Sequence, residues 1–411
     1  MPLLPLAPTA HQAGSRGYRR VTAALYGAGL ASFAAMYCTQ ALLPALSTYY
    51  RITPATAALT VSLTTGMLAL SIIPASVLSE RFGRTTVMLT SGALSSIIGL
   101  LLPFSPTLGV LLAGRALHGI ALAGIPAVAM AYLAEEVHAS SLGSAMGRYI
   151  AGTTIGGLAG RIVPSLIVDV SNWRIALLVC SLMTLAGTVA FAVLAPRSRF
   201  FNPKAASVRV TMRSLMAHLR NPVLLKLFGV GFALMGAFAT VYNYLGYRLT
   251  AQPFALASSV VGLLFLLYLA GTVTSTVAGR LADRRGRALV LGGALPITVI
   301  GLLMTVPHTL VAIVVGAGVF TGGFFAAHTV ASGWVGAVAH RDRAEASSLY
   351  LFSYYLGGSM AGGFGGFVYS LGGWPGTVVF VGTLLVAGLL LVALLVKETA
   401  PEPVCVNATV A

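Results

Sequence analysis

The sequence has very little charge for its length. Of its 411 residues only 8% are charged, whereas 57% are hydrophobic, and the mean hydropathy is +0.90. A soluble domain carries about 25% charged residues, so this chain lacks the polar surface needed to cover even two or three soluble domains. The composition therefore excludes a soluble protein and predicts one that is solvated mostly by lipid.

Cysteine and acidic residues are also scarce. The cysteines, Cys38, Cys180 and Cys405, are too few for a disulfide framework. Only nine acidic residues are present, which leaves a formal net charge of +16, but the basic residues form short clusters between apolar runs. This distribution is typical of membrane insertion rather than of one basic surface, so we expect no nucleic-acid partner.

Motifs of several enzyme classes are absent from the sequence. There is no G-x-S-x-G nucleophile elbow, no H-E-x-x-H zinc motif and no phosphate-binding loop of the G-x-x-x-x-G-K-S/T type. No His, Cys and Asp residues cluster at the spacing of metal ligands. We therefore expect no enzymatic activity, no cofactor, no metal site and no direct drive by ATP.

Twelve apolar runs are long enough to cross a membrane. Crossing about 30 Å of hydrocarbon takes about 20 residues of helix, because every backbone amide in lipid must be paired within its own segment. The sequence thus predicts an all-α membrane protein. We number the predicted spans 1 to 12 in chain order: 20–46, 56–78, 86–103, 108–134, 144–168, 174–195, 223–248, 256–281, 288–306, 309–336, 347–370 and 374–396.

One long polar stretch, from Pro196 to Pro222, divides the spans into six and six. An even number of spans places both termini on one face, and 20 of the 25 Lys and Arg residues fall on that face. The positive-inside rule then predicts that both termini and the polar stretch are cytoplasmic. The predicted units are a cytoplasmic N-terminal arm (1–19), a first bundle (20–195), a basic linker (196–222), a second bundle (223–396) and a cytoplasmic tail (397–411).

The two halves of the sequence repeat each other. The loop between spans 2 and 3 reads "VLSERFGRTTVML" and the loop between spans 8 and 9 reads "RLADRRGRALVL", so Gly83 corresponds to Gly286 at an offset of 203. Parallel six-helix repeats around a site at the membrane midplane are a recurrent architecture of secondary transporters. We therefore predict two six-helix bundles that are related by a pseudo-twofold axis.

These loops resemble the G-x-L-A-D-R-x-G-R signature of the major facilitator superfamily. The second copy matches at Gly279, Leu281, Asp283, Arg284, Gly286 and Arg287, while the first has Ser76 and Glu80 in place of Gly and Asp. The segments "TIGGLAGR", "NWRIAL", "SSLYLFSYYLG" and "GFFAAHTVAS" resemble the bacterial YnfM-like branch and exporters of sugars and drugs. The antiporter pattern of span 5 ends in Gly-Pro, whereas here Gly160 is followed by Arg161. The resemblance implies alternating access in a bacterial cytoplasmic (inner) membrane and proton-coupled export.

The repeated loops are candidate gating elements. An acid at a helix end can pair with an Arg, or cap a helix of the other bundle, and so hold one conformation until the pair breaks. The alternative is that these charges only fix the topology. The residues concerned are Glu80, Arg81, Arg84, Asp283, Arg284 and Arg287.

Arg115 in span 4 and Arg161 in span 5 are candidate substrate ligands. At 1.5 Å per residue both lie about 10 Å below the outer surface. An intramembrane Arg costs several kcal/mol unless it faces a water-filled path or a partner. The alternative for each is an Arg that reaches outward to the interface or binds backbone carbonyls.

Two intramembrane histidines are candidates for proton coupling, because no Asp or Glu lies in the interior of any predicted span. His328 in span 10 and His118 in span 4 can both titrate near neutrality. The alternative for each is a neutral His that is hydrogen-bonded between helices. Glu135 and Glu136, at the inner end of span 4, are the remaining acidic candidates.

Polar and aromatic residues of spans 1 and 7 predict a substrate cavity. Gln40 and Asn243 stand at the repeat offset of 203, with Tyr37 and Tyr244 within a turn of them. Two amides across a pseudo-twofold cavity could bind a polar solute, while the aromatic side chains, with Phe325 and Tyr354, form its wall. The alternatives are interhelical hydrogen bonds for the amides and ordinary packing for the aromatic residues.

The function predicted from these features is secondary transport of a small polar or amphipathic organic solute, with proton-coupled export as the preferred form. Import, facilitated transport or exchange of an organic anion is the alternative, and a membrane sensor without transport activity is an alternative of a different class. The expected partners are a small-molecule solute, protons and the lipid bilayer, and we expect a monomer.

Overall fold

A computed structural model describes residues 10–196, 198 and 208–399, except the side chains of 208–210 and 397–399. The start of the predicted arm, part of the linker and the tail from residue 400 therefore lie outside the described residues. This part of the chain contains eleven helices that are long and apolar enough to cross a membrane. They are Arg16–Tyr50, Pro54–Phe82, Arg84–Phe104, Leu108–Glu136, Ala139–Val170, Trp173–Leu194, Pro222–Thr250, Ser258–Arg285, Arg287–Met304, Leu310–Val338 and Arg343–Val396.

The last of these helices accounts for spans 11 and 12 together. Its 54 residues would measure about 80 Å at 1.5 Å per residue, which exceeds twice the thickness of the hydrocarbon core. Gly373 interrupts it with a φ of 57°, a conformation that favours glycine, so the chain reverses there. The prediction of twelve spans is confirmed, and we keep their numbers below.

Span 1 differs from the continuous helix that the apolar run predicts. Its first helix ends at Tyr37, a 3₁₀ turn covers Gln40–Leu42, and a second helix runs over Leu43–Tyr50. Pro44 explains the interruption, because proline has no N–H and clashes with the preceding turn. Gln40 is therefore the first residue of the 3₁₀ turn between the two helices.

The spans form two six-helix bundles. In the first, span 1 packs against spans 5 and 6, and span 2 packs against span 4. In the second, span 7 packs against the long helix of spans 11 and 12, and span 10 packs against spans 8 and 9. The bundles meet where span 2 contacts span 11 and where span 5 contacts span 8.

The repeat seen in the sequence is also a repeat of backbone geometry. Gly83 has φ 93° and ψ 147°, and Gly286, its equivalent, has φ 91° and ψ 145°. Each ends one span and begins the next in a conformation that L side chains rarely adopt. In the linker, an additional helix, Val208–Leu219, lies beside the loop before span 11, where Ser214 donates a hydrogen bond of 2.5 Å to Asp342.

Candidate substrate site

Three polar side chains form a chain of hydrogen bonds across the contact between the bundles. Arg161 Nε donates to Gln40 Oε1 at 2.6 Å, and Gln40 Nε2 donates to Asn243 Oδ1 at 2.7 Å. We call Gln40, Arg161 and Asn243 the polar apex. All three are at least 95% buried, and Asn243 Nδ2 has no hydrogen-bond partner among the described residues. The apex therefore joins the two bundles and retains an unused donor.

Close packing of spans 1 and 5 brings Arg161 to the apex. Gly152, Gly156 and Gly160 lie on the face of span 5 that contacts span 1, and a Cβ at any of them would collide with the backbone of span 1. Small residues at this spacing let two membrane helices approach closely. The approach sets the guanidinium of the next residue, Arg161, beside Gln40.

Aromatic rings surround the guanidinium of Arg161. Its Cζ lies 3.9 Å from the ring centre of Tyr37, 4.9 Å from that of Tyr268 and 5.2 Å from that of Phe265. Nη1 donates to the carbonyl of Gly157 at 2.7 Å. No described carboxylate lies within 4 Å of this group. A buried cation thus has aromatic neighbours but no counter-ion among the described residues.

We call the three rings around Arg161, those of Tyr37, Phe265 and Tyr268, the aromatic cage. An aromatic wall continues from this cage into the second bundle. We define the wall as Phe324, Phe325, His328 and Tyr354. Tyr268 links the cage to it, since its ring centre lies 5.8 Å from that of Phe325. Tyr354 and His328 are 4.5 Å apart by ring centres, and both side chains are partly exposed. His328 Nδ1 lies 3.0 Å from the hydroxyl of Tyr350.

Arg115 lies away from the bundle contact, although the sequence suggested a substrate ligand. Its guanidinium is fully buried and donates to the carbonyls of Thr60, Ala35 and Met36 at 2.8–3.0 Å. Nη1 also lies 3.1 Å from His118 Nδ1, so this ring nitrogen accepts. Arg115 therefore ties span 4 to spans 1 and 2, which corresponds to the carbonyl-bound alternative. His118 is 98% buried in the same place.

Tyr244 also lies outside the apex, because it is rotated away from its neighbour Asn243. Its hydroxyl donates to the carbonyl of Gly362 at 2.7 Å, and its ring stacks on Tyr369 with centres 5.5 Å apart. Successive helix residues point about 100° apart, so only one of the two can face the other bundle. Tyr244 packs span 7 against span 11 instead.

The repeated loops differ in their ion pairs. Arg84 Nη2 lies 2.9 Å from Glu135 Oε1, and Arg84 Nη1 donates to Ser79 at 2.6 Å, so this pair lies within the first bundle. Arg81 stacks on Phe82, with Cζ 5.3 Å from the ring centre. Glu80 and Asp283 have no basic group within 4 Å among the described residues, and Asp283, Arg284 and Arg287 are exposed.

The bundles are hydrogen-bonded to each other on the side opposite the termini. Asp169, at the end of span 5, accepts hydrogen bonds from the backbone of Ser258 and Ser259 at 3.0 and 2.7 Å. This carboxylate therefore caps the N-terminus of span 8 across the contact. Tyr247 of span 7 donates to the carbonyl of Leu43 in span 1 at 2.9 Å, on the same side.

Sequence reasoning missed two members of the cage, Phe265 and Tyr268. Both lie in the apolar run "LLFLLYLAG" of span 8, where they look like ordinary lipid-facing or packing residues. The available signal was the tyrosine, since a hydroxyl within such a run needs a polar neighbour.

Comparison with known proteins decides the family. The sequence profile of the Major Facilitator Superfamily matches residues 25–266 and 245–411. The chain belongs to the major facilitator superfamily. It is 43% identical over 377 residues to the "Inner membrane transport protein YnfM" of Escherichia coli (strain K12), which covers 92% of this chain and 90% of that protein. It is 38% identical over 385 residues to the "Uncharacterized MFS-type transporter YybF" of Bacillus subtilis (strain 168), covering 94% and 95% of the two chains.

Solved structures share the fold at low sequence identity. A bacterial homologue of the human lysosomal transporter Spinster, in an inward-facing and unoccupied conformation, matches with a TM-score of 0.75 at 15% identity, covering 95% of this chain and 100% of that chain. A point mutant of the nucleoside transporter NupG matches with a TM-score of 0.73 at 14% identity, covering 92% and 100%. These structures show the same fold, and the family profile and the curated relatives show that this chain is a multi-pass membrane transporter of the superfamily and not an enzyme.

Proposed function

We propose that this transporter carries a small organic anion with an aromatic or apolar body, by alternating access between its two bundles. The observation that supports the proposal is the environment of Arg161. Its guanidinium is 97% buried at the contact between the bundles, lies against three aromatic rings and has no described carboxylate within 4 Å.

The electrostatics of the apex favour an anionic solute. A charged side chain inside a membrane costs several kcal/mol without a partner, while each ring contact returns about 0.5–2 kcal/mol. Gln40 and Gly157 accept from Nε and Nη1, and both acceptors are uncharged, so the remaining N–H groups of the guanidinium favour an anionic acceptor. A carboxylate there would gain a charge-assisted hydrogen bond, and Asn243 Nδ2 is a second donor nearby.

The aromatic wall is the evidence for the second part of the proposal, that the anionic solute also has an aromatic or apolar body. Ligand sites are mostly apolar surfaces with a few polar groups that set orientation. The wall offers that surface and connects to the cage through Tyr268. We assign substrate contacts to the polar apex, to Tyr37 beside it, and to Phe325 and Tyr354 of the wall. The apex residues are Gln40, Arg161 and Asn243. We assign Arg115 and His118 a packing role.

The contacts between the bundles support loading from the terminal face. The described hydrogen bonds between bundles lie toward the opposite face or near mid-depth, and none of them joins the bundles at the terminal face. With both termini cytoplasmic, as the distribution of Lys and Arg favours, this conformation binds solute from the cytoplasm. We therefore propose export, by a monomer with bundles 20–195 and 223–396 joined by the basic linker.

Proton coupling through His328 is the final element of the proposal. No acid lies in the interior of any described span, and His328 is a partly exposed titratable group of the wall. Histidine can gain or lose a proton under physiological conditions, so the protonation of His328 can differ between two conformations that change its environment. An ion drives a cycle only if it binds one state better than the other.

Matched ligands test the charge preference. Purified protein is screened by thermal unfolding against aromatic compounds that share one body but carry a carboxylate, a primary amide or an amine. A ligand that binds only the folded state raises the unfolding temperature. We expect carboxylates to do so and the matched amines not to. Stabilisation by amines alone would contradict the proposal.

A further inference from the structure

A groove opens at the terminal end of the second bundle, far from the polar apex. Spans 9, 10 and 12 meet there, and its lining includes Arg285, Arg287, Gly292, Gly293, Trp334 and Val396. Leu289 beside it is 65% exposed, as expected for a side chain that faces lipid. The groove therefore lies at the level where a membrane helix emerges into the headgroup region.

Comparison with the first bundle shows that missing side chains create the groove. At the offset of 203, Gly292 and Gly293 correspond to Leu89 and Thr90. A Cβ at either glycine would meet no atom within 4 Å, so the packing of the described residues does not require glycine there. The second bundle thus has an open surface at two positions where the first bundle carries side chains.

The charges around the groove also differ from those of the first bundle. Arg84 is neutralised by Glu135 at 2.9 Å, whereas its equivalent Arg287 is exposed and has no carboxylate within 4 Å among the described residues. Arg285 adds a second guanidinium where the first bundle has Phe82. Two uncompensated cations therefore border the groove.

A tryptophan completes the groove. Trp334 is 93% buried and stands where the first bundle has Ala131. Tryptophan is enriched where the hydrocarbon meets the headgroups, and basic pockets between membrane helices bind anionic headgroups. Arginine is suited to phosphate because its planar fork can donate two parallel hydrogen bonds.

We propose that this groove binds an anionic phospholipid of the leaflet on the terminal face. The phosphate lies between Arg285 and Arg287, and an acyl chain lies over Gly292 and Gly293 against Trp334. A net negative headgroup is required, because a zwitterionic one carries a cation that the two guanidinium groups repel. The proposal does not depend on the identity of the transported solute.

The test is titration of the purified full chain in detergent micelles with dioleoylphosphatidylglycerol, followed by native mass spectrometry and thermal unfolding. Dioleoylphosphatidylcholine and inorganic phosphate are titrated in parallel. We expect the anionic lipid alone to form a discrete complex and to raise the unfolding temperature. Equal stabilisation by phosphatidylcholine would overturn the proposal, and equal stabilisation by inorganic phosphate would identify a free-anion site instead.

Variants locate the site. The double variant Arg285→Gln/Arg287→Gln should weaken binding of the anionic lipid about tenfold or more, since each arginine near a membrane surface contributes about 1 kcal/mol. Gly292→Leu and Gly293→Thr restore the side chains of the first bundle and should weaken binding without removing charge. Arg81→Gln is the matched control, an exposed arginine of the first loop, and should leave binding unchanged. Unchanged binding in both the arginine and the glycine variants would overturn the assignment.

Discussion

Replacement of Arg161 by Gln is the most informative perturbation of the apex. The guanidinium lies at the contact between the bundles, and its two described hydrogen bonds go to uncharged acceptors, Gln40 and the carbonyl of Gly157. Hydrogen bonds to charged groups contribute about 1.5–3 kcal/mol. Loss of the contact should therefore raise the dissociation constant of an aromatic carboxylate about 10- to 150-fold. Arg161→Lys should retain part of the affinity, because an ammonium keeps the charge but not the planar fork.

The assay is equilibrium binding of a carboxylate and of its primary amide to each purified variant. The amide separates loss of the charge contact from general damage to the site, since its affinity should change little in Arg161→Gln. Arg174→Gln is a matched control, because it removes one positive charge from the same bundle outside the apex. Arg174 lies at the face opposite the termini, where it donates to the carbonyl of Ser105 at 3.2 Å. If Arg161→Gln binds the carboxylate within about threefold of the wild-type value, the reasoning about the apex is refuted.

Four further variants test the remaining assignments. Arg115→Leu should lower the free energy of unfolding by about 3 kcal/mol or more in thermal unfolding, because buried carbonyls lose their donor, while the Kd of the carboxylate stays the same. His328→Gln should abolish dependence on a pH gradient in inverted vesicles but keep downhill exchange, and a mutant still driven by the gradient would make His328 a packing residue. Asp283→Asn should lower turnover more than substrate affinity, and a wild-type rate would mean that the loop only fixes topology. Asp169→Ala should increase the population open at the opposite face, measured as a longer spin-label distance between spans 5 and 8, and an unchanged distance distribution would show that the cap does not hold the bundles together.

The twelve spans and the repeat could be predicted because both depend on the order of residues along the chain and not on how the helices pack. Hydropathy depends on composition in a window, and the loop motif recurs at a fixed offset whatever the helices do in space. The ends and interruptions of the spans could be predicted less well. The break in span 1 follows from Pro44, yet an apolar count over 20–46 does not register it.

The composition of the site depended on rotations about helix axes, which a hydropathy pattern fixes poorly when every face is apolar. Asn243 and Tyr244 are neighbours in sequence, but one faces the other bundle and the other packs on span 11. Arg115 and Arg161 both contact span 1 between Ala35 and Gln40, so their similar depth could be predicted, whereas their different partners could not. Tyr268 was missed because it lies in the apolar run "LLFLLYLAG", in which no other side chain is polar.

Counterflow in proteoliposomes tests the central claim most directly. Vesicles containing the purified transporter are loaded with an unlabelled aromatic carboxylate, and uptake of the same labelled compound is compared with uptake in vesicles loaded with the matched amine. The account predicts rapid exchange of the carboxylate, which Arg161→Gln slows strongly and Arg174→Gln does not. Exchange of the amine in preference to the carboxylate, or equal exchange in the two variants, would contradict it.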